Sequence, residues 1–223
     1  MKASEEAYVK EVLRLFPRIE GRFPALKKPH LQFLYWFMWI NFEWKSSESS
    51  EPPQEIIRCL CDNGNDQSID GFYFDSDNDT VNVTQSKYTK DWHSPNRITY
   101  EELKRTADIR NYFKTADPNS IVFRKANKTC RALLARAHRK IKEDNHSLRI
   151  ILASNKLEPT SANFEKLQEL TGNELTEENF EIIARPKLIQ LWAQFLEGHN
   201  PPIPRQFIAC LLYTSPSPRD RTR

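Results

Sequence analysis

The sequence predicts an α/β protein, with a mixed sheet flanked by helices. Three observations carry this. The segments "GFYFD" (71–75) and "TVNVTQSKY" (80–88) are short and β-prone, and four turn-forming residues, "SDND", separate them. That is the pattern of an antiparallel hairpin. Two later apolar runs, "LRIILAS" (148–154) and "FEIIA" (180–184), each follow a helical pattern. Strands reached through helices pair in parallel. Helical patterns also precede the hairpin, so helices are available for both faces of the sheet.

The elements follow in chain order. Residues 4–16 read as a helix, with Ser4 as a cap and Ala7, Val9, Val12, Leu13 and Phe16 as apolar positions. Pro17 and Pro24 bracket a connection. Residues 30–44 form a second helix, apolar on most sides and therefore buried. Its run "LQFLYWFMWINFEW" (31–44) falls short of the roughly 20 residues a bilayer crossing requires. "KSSESSEPPQE" (45–55) is a loop, "IIRCLC" (56–61) a short strand, and "DNGNDQS" (62–68) turn chemistry. In the second hairpin strand, Val81, Val83, Gln85 and Lys87 share one face, because strand side chains repeat every two residues. Residues 99–115 read as a helix opened by a Thr99–Glu102 capping box. A longer helix covers 119–143. Another covers 161–172, with Gly172 at its end, and the last runs over 186–198 from Pro186 to Gly198. No internal repeat is present.

Composition bounds the function. The chain has 223 residues, 39% hydrophobic and 28% charged, as in an ordinary soluble domain. With five glycines and no Gly-rich phosphate motif, a nucleotide-binding loop of the usual kinds is excluded. Cys59, Cys61, Cys130 and Cys210 match no zinc spacing and read as buried thiols in a reducing compartment. The amphipathic N-terminus lacks the apolar stretch of a signal peptide. A cytoplasmic protein with no membrane partner is expected. Residues 210–223 break with what precedes: "CLLYTSPSPRD" resembles the conceptual translation of a sequencing adapter. The expected organisation is one domain over 1–209, cut short at its C-terminal end, followed by a non-native tail. That tail holds three arginines against one aspartate, so it supplies two of the net +3 charges. Global charge therefore says nothing about nucleic acid, and only local distribution can.

The hairpin carries more than turn chemistry. Asp70 stands just before its first strand, and Gln85 and Lys87 close the second. Cleaving a phosphodiester takes a metal ion, an activated water and positive charge for the developing phosphorane. Mg²⁺ takes hard oxygen ligands and keeps several waters, so one or two protein ligands suffice. The hairpin would bring position 70 beside positions 85–87, giving an acid, an amide oxygen and a lysine on one face.

"NDQSIDGFYFD" followed by "VNVTQSKY" resembles the core of the PD-(D/E)xK restriction-endonuclease-like fold in its Gln-x-Lys variant. More narrowly, it is similar to the N-terminal nuclease-like region of abortive-infection phage-resistance (AIPR) proteins. "LRIILASN" and "FEIIARPKLIQLWAQFLEGHNPPIP" add weaker agreement, and the likeness spans roughly residues 30–208. The resemblance implies a restriction-endonuclease-like mixed sheet and a catalytic set of Asp70, Gln85 and Lys87. Asp70 and Gln85 would be ligands of Mg²⁺ or Mn²⁺. It also implies a helix glutamate, for which Glu43 is the candidate, and a nucleic acid substrate; DNA is expected ahead of RNA, and the choice between them stays open. A neutral amide binds Mg²⁺ less strongly than a carboxylate. Two readings therefore stay open: a metal-dependent nuclease of phage defence, and a catalytically inactive nuclease-like module that binds nucleic acid or a partner.

Along 119–143, Arg124, Lys128, Arg131, Arg139 and Lys142 fall on one side at helical spacing, opposite Ala126, Cys130, Leu133, Ala137 and Ile141. Such a stripe suits a phosphate backbone or a solvated amphipathic face equally. His138 is expected to be structural. "DSDNDTVNVTQS" (75–86) imitates half a calcium loop, but Thr80 and Ser86 stand where an EF-hand needs Gly and Glu. Asn78 and Asn82 open glycosylation-type triplets that a cytoplasmic protein would not use.

Overall fold

The structure is a computed structural model that describes residues 3–42, 53–61, 68–114 and 124–198. Helix α1 (Ala3–Arg22) places Val9, Val12, Phe16 and Ile19 on one buried stripe. The sequence predicts a stop before Pro17, yet the helix runs through it. Pro17 cannot donate to the carbonyl one turn earlier. Burial of Ile19 beyond it, continuing the stripe, outweighs that loss. Helix α2 (Pro29–Asn41) starts with Pro29 in its first turn and buries every residue from Gln32 to Ile40.

Residues 56–61 form no strand. Gln54–Cys59 is a 3₁₀ turn that buries Ile56, and only Leu60 bridges to Gly71. A short apolar run fits either structure by pattern alone, and here one turn suffices to bury its side chain.

The hairpin forms as the sequence predicts: β1 (Gly71–Asp75) runs antiparallel to β2 (Thr80–Lys87). Asp75 Oδ1 accepts the amides of Asp77 and Asn78, and its Oδ2 accepts from Asn78 Nδ2. The acids that mimic a calcium loop thus serve a turn. Asn82 is 4% exposed, which denies it to a glycan.

Thr99 and Glu102 make the expected capping box at the start of α3 (Tyr100–Ala107). The helix then breaks, and α4 (Arg110–Lys114) follows separately. Thr106 Oγ1 donates to the Glu102 carbonyl, a bond that bends helices, and the new direction turns Ile109 and Phe113 into the core. The expected long helix begins later, as α5 (Lys128–Lys142). The Asn127 side chain caps it by accepting the Cys130 amide at 2.9 Å. Arg124 and Lys125 lie in a separate helical turn, and residues 119–123 lie outside the described residues. Strand β3 (Ser147–Ser154), helix α6 (Ser161–Leu170), strand β4 (Phe180–Ile183) and helix α7 (Arg185–Gly198) complete the order. Helix α6 stops at Leu170, and the chain leaves through Gly172 and Asn173, both at positive φ.

The four strands lie in the order β1-β2-β3-β4, the hairpin antiparallel and the later pairs parallel. This is the mixed sheet the sequence predicts. Helices α1, α2 and α7 pack on one face, against Ile151, Ala153 and Ile183. Helices α3 to α6 pack on the other, against Phe72, Val81, Val83, Ile150 and Leu152. Central strand β2 is therefore covered on both sides. No helix among the described residues is long and apolar enough to cross a membrane.

Candidate active site

The site is built by backbone pairing just before β1. The Asp70 amide donates to the Thr84 carbonyl, and the Asp70 carbonyl accepts the Cys61 amide, both at 2.8 Å. Asp70 is thus held between two segments before its side chain does anything. Alternation then sends the side chain of Asp70 to the face of Phe72, the same face as Val83 and Gln85.

Two of the three sequence-predicted residues meet there. Gln85 Nε2 donates to Asp70 Oδ2 at 2.7 Å, and the Ser86 amide donates to the same oxygen. Asp70 is 7% exposed and Gln85 is 3% exposed. Gln85 Oε1 is buried with no hydrogen-bond partner among the described residues. Leaving such an oxygen unsatisfied costs about 1–3 kcal/mol, so its position asks for a donor or a cation. Lys87 follows two residues on, half buried on the same face, opposite Ser154 in β3. Ser154 Oγ fixes the strand end by donating to the Lys87 carbonyl at 2.8 Å. The Lys87 ammonium has no ion pair among the described residues.

The donor set suits a hard cation. Turned over, the Gln85 amide would set Oε1 against Asp70 Oδ2, oxygen to oxygen. Only a shared positive charge makes that orientation favourable, and adjacent oxygens of a Mg²⁺ octahedron lie about 3 Å apart. No group of three or more His, Cys, Asp or Glu is placed to hold a metal among the described residues. Glu43 lies outside them. Burial pushes the Cys59 thiol up to about 11.

Sequence reasoning missed what frames the site. Asn155, fully buried, clamps the chain leaving β2: its Oδ1 accepts the Thr89 amide at 2.8 Å and its Nδ2 donates to the Thr89 carbonyl at 2.6 Å. Arg185 donates from Nε to the Asn155 carbonyl at 2.8 Å and from Nη2 to the Ser94 carbonyl at 2.6 Å. Lys156 pairs with Glu102 at 2.6 Å. Burial raises the Glu102 pKa, but the bonds from Lys156 and Thr99 outweigh it and hold the carboxyl below its ordinary value. These partners are 30 to 91 residues apart, so nothing local signals them.

The basic stripe is exposed at all five positions. Lys128, Arg139 and Lys142 point to solvent along α5. Arg131 is committed differently, since its Nη2 donates to the Arg124 and Ala126 carbonyls and ties the preceding turn to the helix. Arg136, off the stripe, lies over the Phe74 ring at 4.0 Å. His138 is half buried on α5.

No protein-family model, curated protein or solved structure matches this chain.

Proposed function

We propose that this chain is a metal-dependent nuclease domain with a restriction-endonuclease-like fold, acting in the cytoplasm as part of an AIPR-type prokaryotic phage-defence protein. The observation that carries the proposal is the buried, unpartnered Gln85 Oε1 beside the Asp70 carboxylate. In this reading, Asp70 and Gln85 hold Mg²⁺ or Mn²⁺. The ion would supply Lewis acidity at the scissile phosphate. Lys87 orients the attacking water and balances charge as it develops. Arg124, Lys128, Arg139 and Lys142 attract the backbone of a nucleic acid, DNA rather than RNA, while Arg131 holds the end of that surface in shape. The mixed sheet supports the fold assignment, and the defence role rests on the sequence resemblance.

One observation favours a second reading. Asp70 Oδ2 already accepts two hydrogen bonds, from Gln85 and Ser86. That arrangement would serve equally to lock the hairpin of a binding module without catalysis. The test is cleavage of plasmid DNA and of RNA by the full chain with Mg²⁺, with Mn²⁺ and with chelator, beside Lys87→Ala. Metal-dependent cutting lost in the variant supports the nuclease. Retained nucleic acid binding without cutting supports the inactive module.

A further inference from the structure

A second polar site lies on the opposite face of the sheet. Tyr73, Asn82 and Arg149 are cross-strand partners, one each on β1, β2 and β3, and they form a row across three strands. They line a polar cavity of about 380 Å³ with Phe42, Asp77 and Glu181 among its walls. A central strand covered on both faces should read as apolar on both. Strand β2 does so toward α3–α6, with Val81 and Val83, but presents Asn82 and Thr84 to the other side.

The row carries unused hydrogen-bonding capacity. Asn82 is 4% exposed, and its side-chain amide bonds no group among the described residues. Arg149 Nε is buried and without a partner among the described residues, although its Nη2 meets Glu181 at 2.8 Å. Buried polar groups without partners are rare in native proteins and mark water, an ion or a ligand. The cavity is large beside one water's share of about 30 Å³. On one side Phe42 and Tyr73 stack, with centroids 4.3 Å apart and planes at 19°.

The chemistry of these groups narrows the occupant. Asn82 offers a donor and an acceptor side by side, the pairing an amide makes with the edge of a nucleobase. The partly exposed end of the Arg149 guanidinium adds further donors. Asp75, Asp77 and Glu181 oppose an anion, and the Arg149 guanidinium, paired with Glu181, opposes a bare cation. The stacked pair Phe42 and Tyr73 borders the cavity on one side. We infer that this cavity binds an uncharged nucleobase or nucleoside, read by Asn82 and Arg149 and bounded by Tyr73 and Phe42. The site is independent of Asp70, Gln85 and Lys87, which face the other helical layer.

The test is calorimetric titration of the full chain, without divalent metal, with adenosine, guanosine, cytidine and uridine. The corresponding 5′-monophosphates and Ca²⁺ are run alongside. At least one nucleoside is expected to bind one to one, and its monophosphate more weakly. Asn82→Leu should weaken binding about tenfold or more, the worth of one good hydrogen bond. Its melting temperature should stay level, because the Asn82 amide bonds no group among the described residues. Tyr73→Leu, at a half-buried position, should also weaken binding and gives a second reading if Asn82→Leu does not fold. Four results would overturn the inference: no nucleoside binding, binding unaffected by both variants, equal binding of the monophosphates, or Ca²⁺ binding alone. None of these bears on nuclease activity, so the two sites stand or fall separately.

Discussion

Asp70 separates structure from chemistry in one pair of substitutions. Its carboxylate accepts from the Gln85 amide and the Ser86 backbone, and all three groups lie at or near the interior. Asp70→Ala removes the acceptor and strands two donors. At about 1–3 kcal/mol per buried unsatisfied group, less some relief from entering water, the loss is about 3 kcal/mol. In a chain of this length that lowers the melting temperature by about 6–12 °C. Asp70→Asn behaves differently. Both native bonds end on one oxygen, so the Asn Oδ1 placed there still accepts the Ser86 amide and Gln85 Nε2, while the new Nδ2 takes the other carboxylate position. Charge-assisted bonds weaken, but a buried charge is no longer desolvated, so the net cost is about 1 kcal/mol, or about 2–4 °C. If Asp70 is a metal ligand, both variants abolish cleavage although only one is strongly destabilised. The assay pairs thermal unfolding with Mg²⁺-dependent plasmid cleavage. An Asp70→Ala protein that melts with wild type would refute the hydrogen-bond argument, and an active Asp70→Asn protein would refute the metal-ligand role.

Three further outcomes are expected. Glu102→Gln keeps the capping box, since Gln serves at that position, but loses the Lys156 ion pair; it should cost about 1 kcal/mol at neutral pH. Because the folded Glu102 pKa is lowered, its stabilisation is complete above the ordinary value of 4.5 and is lost as pH falls through the folded value. Unfolding curves of the two proteins should therefore converge in acid, and a gap that persists there would contradict the ion-pair account. Pro17→Ala restores an amide to the interior of α1 and should stabilise by about 1–2 kcal/mol after the unfolded-state entropy of proline is set against it; a lower melting temperature would mean the ring itself packs. Replacing Lys128, Arg139 and Lys142 by Ala should weaken nucleic acid binding at every sequence and flatten the log–log salt dependence by about 0.9 per lost phosphate contact, without altering stability. Arg131→Ala should instead lower the melting temperature, which a mere surface charge would not.

Local chemistry was legible and long-range register was not. The hairpin over 71–88 could be read because alternation and turn residues are local signals, and so could Thr99–Glu102 and the apolar strands at 148–154 and 180–184. The meeting of Asp70 and Gln85 followed from the same hairpin arithmetic. Pro17 misled because a local helix breaker was outweighed by burial of Phe16 and Ile19 against other helices. Residues 56–61 misled because six apolar-rich residues have no period to distinguish a strand from a helical turn. The helix break at Asp108 depended on Thr106 bonding back to Glu102, which a propensity reading does not weigh. Nothing in the sequence links Asn155 to Thr89, or Arg185 to Ser94, before the strands are laid side by side.

The same limit explains why β2 carries two candidate sites and the sequence signals only one. Val81, Asn82, Val83, Thr84 and Gln85 alternate as they would in a strand with one face in water, and on that reading Asn82 and Thr84 need no partner. Pairing with β3 makes the strand central, and α2 covers the face those residues occupy. The polar half of the alternation is then buried, and its meaning reverses. A side chain that would bond bulk water is confined to a cavity, and Asn82 bonds no group among the described residues. On the other face the alternation breaks in the opposite sense, as two valines give way to Gln85 and Lys87 at the strand's carboxyl end. A strand selected only for stability would be apolar at Asn82 and Gln85 alike. Both departures cost folding energy, and each leaves an amide aimed at a different space, which is the physical reason to test them as two separate binding functions.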